Sequence, residues 1–456
     1  MVKCKVNSGF VYVTNCSYKF RELIQNIAER AEQVIPSKKL NGIGIFLFGS
    51  PSRQEMVDES DADIMIIREK DNEDYLLFRK EFIRLIEKEN FEKIDIPDWG
   101  NYADCEYYIA DSITEGNQVV ESKFVYGDYS VNCYIETLKS KYCTKERFEK
   151  VLCFQKLYFD QYYTQRTKPG IKNVKYGHGG TRDFMFLTWF INLLDSSEGR
   201  KINTEDNFPL AYKSISSLYE RGLINLEDYT KYSESVNVVL ILRNEILIQN
   251  KWTPEAGLTY LDEKTVSLLF KRKSFQDDSL IDESSLKNYL ERHLKNVAEL
   301  KQLVWELFIS YLYSSKGSVW TDKFKNFLVG NITKLDVNQI DKSDALLQMA
   351  VIWNLSLAKD PMLFEEIFDM YAHSDEWVVL ASLCCHKQCP DKILNEVLSK
   401  GCKKGYEYLL RIISRNKNVS KETLKKIIDN PNLEYRYQVV AKIAYEKGVE
   451  KANELR

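Results

Sequence analysis

Two short apolar runs near the N-terminus flank a polar passage, whereas most of the chain that follows repeats its apolar residues at helical spacing. The runs are Ile43 to Phe48 and Ile64 to Ile67, and the polar passage between them opens with Gly49-Ser50. This pattern predicts a strand, a tight turn, a short connection and a second strand.

Further elements are predicted on both sides of these strands. Phe10 to Val13 is typical of a short strand, and the spacing of apolar residues predicts a helix from about Ser17 to Val34. A second amphipathic helix is predicted from Tyr75 to Glu89. Residues 103–139 are predicted to be helical, with one turn.

Two acids, Asp61 and Asp63, stand at the start of the second predicted strand. Side chains two apart on a strand point to the same face, so these carboxylates project side by side. Carboxylates held this close repel each other, and shared protons or divalent cations relieve the repulsion. The Gly49-Ser50 turn upstream offers backbone N–H groups and a hydroxyl to phosphate oxygens. Together these are the parts of a phosphoryl- or nucleotidyl-transfer site.

A third acid lies in the next predicted strand, Phe91 to Pro97. Asp95 stands between two isoleucines and therefore points away from the face that they share, towards the side that would bear Asp61 and Asp63. Asp98 is the alternative for this position, although it lies in a predicted turn.

The spacing of Gly49-Ser50 and Asp61-Ala62-Asp63, with an apolar strand before and after, resembles the signature of the DNA polymerase β-type nucleotidyltransferases. The resemblance implies that Gly49 and Ser50 hold the triphosphate of an NTP. It also implies that Asp61 and Asp63 are catalytic residues that bind two Mg²⁺ ions. In that family a third carboxylate, on a neighbouring strand, binds metal and prepares the attacking hydroxyl, and Asp95 occurs at the expected place in the order of elements.

A second motif is rich in glycine and runs from Asn173 to Phe186. It resembles the Lys-x-Gly-x-Gly-Gly-x-Arg-Asp segment of the PII-protein uridylyltransferases and glutamine synthetase adenylyltransferases. Those families continue with Ile-Glu or Ile-Gln, where this chain has Phe184-Met185. Glycines let the backbone approach a ligand, and lysine and arginine bind phosphate. The residues expected to bind nucleotide are Lys175, Gly179, Gly180, Arg182 and Asp183. The alternative is a structural turn between helices, in which the aspartate caps the following helix.

Two further segments resemble the same families. Glu121-Ser122-Lys123-Phe124, followed by Gly127-Asp128, is similar to a Glu-Ser-Arg-Leu-type run that ends in Gly-Asp in the uridylyltransferases. The predicted helix from Leu223 to Asn250 resembles the helix that follows the glycine motif there. Those families often have a histidine shortly after the arginine of this helix, whereas this chain continues from Arg243 without one.

Composition narrows the setting. The net charge of −3 argues against a dominant nucleic-acid surface, which usually has a basic excess. The longest apolar run, Phe184 to Leu194, is too short to span a bilayer, and the N-terminus lacks the pattern of a signal peptide. Ten scattered cysteines indicate free thiols in a reducing cytoplasm. Cys384, Cys385, His386 and Cys389 are clustered, but their helical spacing favours core residues over a zinc site.

The last third of the chain repeats itself at a shift of about thirty residues. Residues 378–398 and 408–428 align, with apolar side chains at matching positions. The repeat predicts a short solenoid, similar to HEAT-like repeats, that binds a partner; an ordinary helical bundle is the alternative. The predicted fold is α+β, with a small mixed-sheet nucleotidyltransferase domain (1–142), a helical domain that carries the glycine motif (143–316) and a helical repeat (317–456).

These features predict a magnesium-dependent adenylyl- or uridylyltransferase-like enzyme that moves an NMP from an NTP to an acceptor hydroxyl. The family resemblance favours a protein acceptor, bound by the repeat. The alternative enzymes act on a small molecule such as an aminoglycoside or on an RNA end, which would need a basic surface for nucleic acid. The remaining alternative is a scaffold that binds nucleotide without catalysis. The intact set of Asp61, Asp63 and Asp95 argues against a scaffold, because degenerate copies usually lose one acid.

Overall fold

The computed structural model of the chain describes residues 8–57, 60–89, 94–97, 100–111, 114–158, 172–175, 177–200, 209–249, 260–271, 282–358, 363–402, 408–433, 435–449 and 452. These residues form two compact units. The first contains the described residues of 1–110, 115–148 and 167–304, and the second those of 111–114, 149–166 and 305–456. None of the helices in the described ranges is long and apolar enough to cross a membrane.

The first unit contains a four-stranded mixed sheet in the order β3-β2-β1-β4. Its strands are β1 (Ile43–Leu47), β2 (Ala62–Arg68), β3 (Ile94–Asp95) and β4 (Lys123–Gly127). β1 is antiparallel to both β2 and β4, and β2 is parallel to β3. The first two strands confirm the predicted strand, turn and strand, and the architecture is α+β, as predicted.

Helices make up most of the remaining described residues. In chain order they are α1 (Ser8–Glu32), α2 (Gly49–Ser52), α3 (Glu73–Ile86), α4 (Tyr102–Asp111), α5 (Thr114–Glu121), α6 (Tyr129–Tyr142), α7 (Lys145–Tyr158), α8 (Thr181–Ser197), α9 (Leu210–Glu220), α10 (Leu226–Gln249), α11 (Glu263–Phe270), α12 (Glu283–Lys316), α13 (Ser318–Leu328), α14 (Lys334–Asn338), α15 (Ala345–Asn354), α16 (Leu363–Ala372), α17 (Trp377–Cys385), α18 (Asp391–Gly401), α19 (Tyr408–Ile413), α20 (Lys421–Ile428) and α21 (Tyr435–Lys447). A two-stranded sheet pairs β5 (Lys172–Asn173) with β6 (Tyr260–Leu261).

One face of the four-stranded sheet packs against a helical core that includes α1 and α3. The residues that β1 and β2 contribute to this core alternate along each strand: Ile43, Ile45, Leu47, Ala62, Ile64 and Ile66. A slip of one residue in the strand register would turn this whole set away from the core. Burial of one face therefore fixes which side chains of β2 reach the opposite face.

The N-terminal segment differs from the prediction, because Phe10 to Val13 belongs to the long helix α1 and not to a strand. The side chains of Phe10 and Val13 are buried and, three residues apart, continue the helical stripe of Phe20. The backbone N–H groups of Gly9 and Phe10 donate to Oδ1 of Asn237 in α10, at 2.9 and 3.1 Å. This cap comes from a residue more than two hundred positions away, so no local signal marks where the helix begins.

The prediction of helix across residues 103–139 is wrong for Lys123–Gly127, which forms the edge strand β4. This segment contains phenylalanine, valine and tyrosine, which favour strands, and it pairs with β1 across a bulge between Ile45 and Phe46. Pairing with a distant strand outweighs the helical pattern of the flanking residues, which do form α4, α5 and α6.

The helices of the second unit stack in a regular order. α15 packs on α17, α17 on α19 and α19 on α21, while α16 packs on α18 and α18 on α20. Two turns also match at a shift of thirty residues: Nδ1 of His386 accepts from the backbone N–H of Gln388 at 3.2 Å, and Oδ1 of Asn416 accepts from that of Asn418 at 2.9 Å. The Asn416 amide donates to the carbonyl oxygens of Cys384 and His386, which joins the two turns.

The clustered cysteines lie in the interior of these stacked helices. Cys384 and Cys389 are buried, and burial raises the pKa of each thiol above its usual range. Burial, followed by the charge of Lys387, lowers the pKa of His386 to about 4. Within the described ranges no three His, Cys, Asp or Glu side chains are grouped so as to hold a metal ion. The cluster therefore forms part of the core.

Candidate functional site

The three acids singled out in the sequence occupy the sheet face opposite the α1 and α3 core. Ala62 and Ile64 point into that core, so Asp63 between them points away from it. In β3, Ile94 packs against the same core, so Asp95 also points to the opposite face.

Asp63 and Asp95 are paired residues of the parallel strands β2 and β3. Because paired residues of neighbouring strands share a face, their carboxylates lie side by side. Burial, then the charges of Asp95 and Asp61, raise the pKa of Asp63 from 3.8 to about 7. The structure thus brings the three acids within electrostatic reach of each other. Asp98, the alternative third acid, lies outside the described residues.

The Gly49-Ser50 turn lies directly against the Asp63 carboxylate. Gly49 has φ +63°, a left-handed conformation that favours glycine, and a Cβ at this position would overlap Oδ2 of Asp63. The backbone N–H of Phe48 donates to the carbonyl oxygen of Asp63 at 3.2 Å, which holds the turn beside the acid. Ser50 is buried at the start of α2. A glycine is required here by both the backbone conformation and the close approach.

The glycine motif forms a compact turn between β5 and α8. The backbone N–H of Gly177 donates to the carbonyl of Asn173 at 2.8 Å, and that of Arg182 donates to the carbonyl of Lys175 at 3.1 Å. Gly179 has φ +82°, and a Cβ on it would overlap the carbonyl oxygen of Leu294 in α12. A Cβ on the neighbouring Gly180 would lie 2.6 Å from the carbonyl oxygen of Val174 within the turn.

Asp183 ties this turn to α12. Its Oδ2 accepts from the backbone N–H of Gly179 at 2.8 Å, and its Oδ1 pairs with Nζ of Lys301 at 2.9 Å. Both charged side chains are 7% exposed. In the structure the Asp183 carboxylate and the two glycines therefore contact protein groups, which leaves Lys175 and Arg182 as the basic side chains that the turn carries.

These two basic residues reach the acids by different routes. The charge of Lys175 acts directly on Asp63 and partly offsets the rise of its pKa. Arg182 acts on Glu121, at the end of α5, where it opposes the rise in pKa that burial causes. The glycine motif and the strand acids, more than one hundred residues apart in sequence, thus belong to one site.

A buried ion-pair cluster next to the acids was not predicted from the sequence. Arg53, one turn after Gly49, pairs with Glu121 (Nη1 to Oε2, 2.6 Å) and with Glu55 (Nε to Oε2, 3.1 Å). Burial alone lowers the pKa of Arg53, but the two carboxylates raise it further and keep the guanidinium charged. Its position in a strand-to-strand connection gave the only available signal.

The site fits a divalent cation in one specific way. In the described part of the chain, no three His, Cys, Asp or Glu side chains form a ready-made metal cage. The raised pKa of Asp63, which the charges of Asp95 and Asp61 increase, nevertheless shows an excess of negative charge that a cation would relieve. Mg²⁺ is usually held by one or two carboxylates together with substrate phosphates, so the facing Asp63 and Asp95 fit that mode.

We expect the metal-free protein to lose stability as the pH rises from about 4 to about 7. Folded Asp63 keeps its proton up to a pH of about 7, whereas an unfolded aspartate loses it near 3.8. The unfolded state therefore binds fewer protons in this window, and the free energy of unfolding falls as the pH rises. Denaturant titrations with a chelator, across this range, measure the slope. Asp63→Asn should reduce the fall, and an unchanged slope would contradict the assignment.

The family comparison matches the second half of this site. A family model described as GlnD PII-uridylyltransferase matches residues 161–305, a range that includes the glycine turn, Arg243 and Lys301. The four-stranded sheet with its acids lies outside the matched range. No curated protein matches the chain. The match relates the chain to the PII-uridylyltransferases and supports a nucleotidyltransferase activity in general.

Proposed function

We propose that the protein is a magnesium-dependent nucleotidyltransferase that moves an NMP from an NTP to a hydroxyl of an acceptor protein. The observation that carries the proposal is the in-register pair of Asp63 and Asp95, with the Gly49 turn against one of them and Lys175 of the glycine motif in electrostatic reach. Facing acids, a tight glycine turn and a basic side chain are what a polyphosphate and its cations need.

Each of these residues would have a defined role. Asp61, Asp63 and Asp95 would hold two Mg²⁺ ions, which offset the charge on the attacking and leaving oxygens. Gly49 and Ser50 would hold the β- and γ-phosphates through backbone N–H groups and the hydroxyl.

The reaction would be an in-line displacement at the α-phosphorus. The acceptor oxygen forms a bond to this phosphorus, and the bond to the bridging oxygen breaks, so pyrophosphate leaves. Asp95 would favour loss of the hydroxyl proton as the oxygen attacks. Lys175 and Arg182 would offset the charge that develops on the departing phosphates, as basic groups do in phosphoryl transfer.

The stacked helices of the second unit support a protein acceptor. Helices α15 to α21 pack in two alternating series, and their turns match at a shift of thirty residues. This is the arrangement expected of a HEAT-like repeat, in which each helix pair stacks on the next and leaves an extended surface. We propose that this surface recognises the acceptor.

The other functions remain alternatives to this proposal. A small-molecule acceptor has no need of the helical repeat, and an RNA end would need a basic surface. A nucleotide-binding scaffold would not need Asp61, Asp63 and Asp95 to share one face of the sheet.

A labelling experiment separates these alternatives. The purified protein is incubated with each α-labelled NTP and Mg²⁺, with and without lysate, and the products are resolved into protein, RNA and small molecules. Label on protein supports the proposal, and label on RNA or a small molecule would replace the acceptor. Nucleotide binding without transfer under every condition would favour the scaffold.

A further inference from the structure

The segment Glu121 to Gly127 resembles a uridylyltransferase run, yet the proposed reaction assigns no role to Glu121. This residue ends α5, and its side chain is 10% exposed. Its Oε2 lies 2.6 Å from Nη1 of Arg53, and the second carboxylate on this guanidinium is that of Glu55. Arg53 is therefore held by two carboxylates from different parts of the chain.

The backbone around Arg53 is fixed independently of its side chain. The backbone N–H of Leu210 donates to the carbonyl of Arg53 at 2.9 Å, and Nη1 of Arg243 donates to the carbonyl of Glu55 at 3.2 Å. The backbone N–H of Arg53 itself donates to the carbonyl of Gly49 at 3.2 Å. With the main chain held in this way, the two carboxylates decide where the guanidinium points.

Glu121 also lies within electrostatic reach of Arg182, the arginine of the glycine motif. One carboxylate thus faces an arginine from each half of the site: Arg53, which follows the Gly49 turn, and Arg182, which follows the glycine turn. Glu55, by contrast, is only two residues from Arg53 and pairs locally. Only Glu121 contributes its charge to both arginines.

We propose that Glu121 is a positioning residue of the transfer site, which holds Arg53 next to the acids of the sheet and orients Arg182 towards them. The inference rests on the proposed function, because it is the triphosphate that these arginines would meet. Partners that orient groups at a reaction centre typically contribute about 10- to 100-fold to activity without touching the substrate.

The expected effect of Glu121→Gln separates positioning from stability. The change removes one negative charge from the site, so a nucleotide anion should bind at least as tightly as before. Both arginines lose their common partner, so the rate of transfer should fall by about 10- to 100-fold. A variant that is merely unstable would lose nucleotide binding together with rate.

The test measures kcat, the KM for NTP and the Kd for Mg²⁺-free NTP in Glu121→Gln and Glu121→Asp. We expect a lower kcat, with neither KM nor Kd raised, in the first variant, and partial recovery of kcat in the second, which keeps the charge. Glu106→Gln is the control, because this carboxylate pairs with Lys141 at 2.8 Å but is 42% exposed. A kcat within twofold of wild type, or equal losses of rate and binding in both variants, would overturn the proposal.

Two outcomes need separate treatment. If Glu121→Gln does not fold, Glu121→Asp decides the matter: a lower kcat at unchanged Kd supports positioning, and an unchanged kcat refutes it. If the wild-type protein transfers nothing to any acceptor, the proposed function fails, and the Kd measurements then test the arrangement alone. A Kd unchanged by Glu121→Gln would show that its carboxylate does not act on the nucleotide site.

Discussion

Asp63→Asn is expected to lower nucleotidyl transfer by about 10²- to 10³-fold, the usual range for removing one well-placed electrostatic group. Asp63 lies against the Gly49 turn and faces Asp95, so its carboxylate occupies the centre of the proposed metal and phosphate site. The fold should remain intact, because an uncharged amide relieves the repulsion that raises the pKa of this group. Rates with saturating NTP and Mg²⁺, together with circular dichroism, measure both effects.

Metal binding gives a second readout for the same variant. Mg²⁺ should raise the melting temperature of the wild-type protein more at pH 8 than at pH 5, because Asp63 must lose its proton to bind a cation. Asp63→Asn should lack most of this shift, and Asp61→Asn should likewise abolish transfer. Asp71→Asn is the matched control, since that side chain is 58% exposed. Retained turnover in Asp63→Asn would show that the metal assignment is wrong.

The second large effect is expected from Gly179→Ala, which should destabilise the protein by about 2–5 kcal/mol. A left-handed alanine costs about 1–2 kcal/mol, and forcing a methyl group into a filled space costs about 1–3 kcal/mol more. Gly179 meets both conditions, because it has φ +82° and its missing Cβ would overlap the carbonyl oxygen of Leu294. Denaturant unfolding measures the change in the free energy of unfolding.

Gly222→Ala separates the two contributions. Gly222 has φ +69°, but no atom lies within 4 Å of the position that its Cβ would take. This variant should therefore lose only about 1–2 kcal/mol, the cost of the left-handed conformation. Equal losses in the two variants would contradict a close contact between the glycine turn and α12.

The elements that the sequence predicted well are those whose signals are local. The strands of Gly42 to Ile67 were predicted from two apolar runs and a glycine turn, and Asp95 was assigned to a face from its two isoleucine neighbours. The ion pair between Arg53 and Glu121 joins residues 68 positions apart, and no periodicity marks such a pair.

The predictions that failed or changed depended on distant partners. β4 pairs with β1 and α1 is capped by Asn237, so neither could be located from its own neighbours. The glycine motif was predicted to contact nucleotide, but its glycines and Asp183 contact main-chain groups and Lys301. Lys175 and Arg182, which carry the charge of the motif, lie in electrostatic reach of the acids or their neighbours.

The cap that Asn237 places on α1 has a consequence for synthesis and for truncation. The first helix made by the ribosome has its leading amides satisfied only after residue 237 has been made, and the chain at Arg53 to Glu55 likewise waits for α9 and α10. A fragment that stops after the sheet would lack these bonds, and a lost helix cap alone costs about 1 kcal/mol. Co-translational folding of the N-terminal part should therefore be completed late, and shortened versions should be assayed with α10 included.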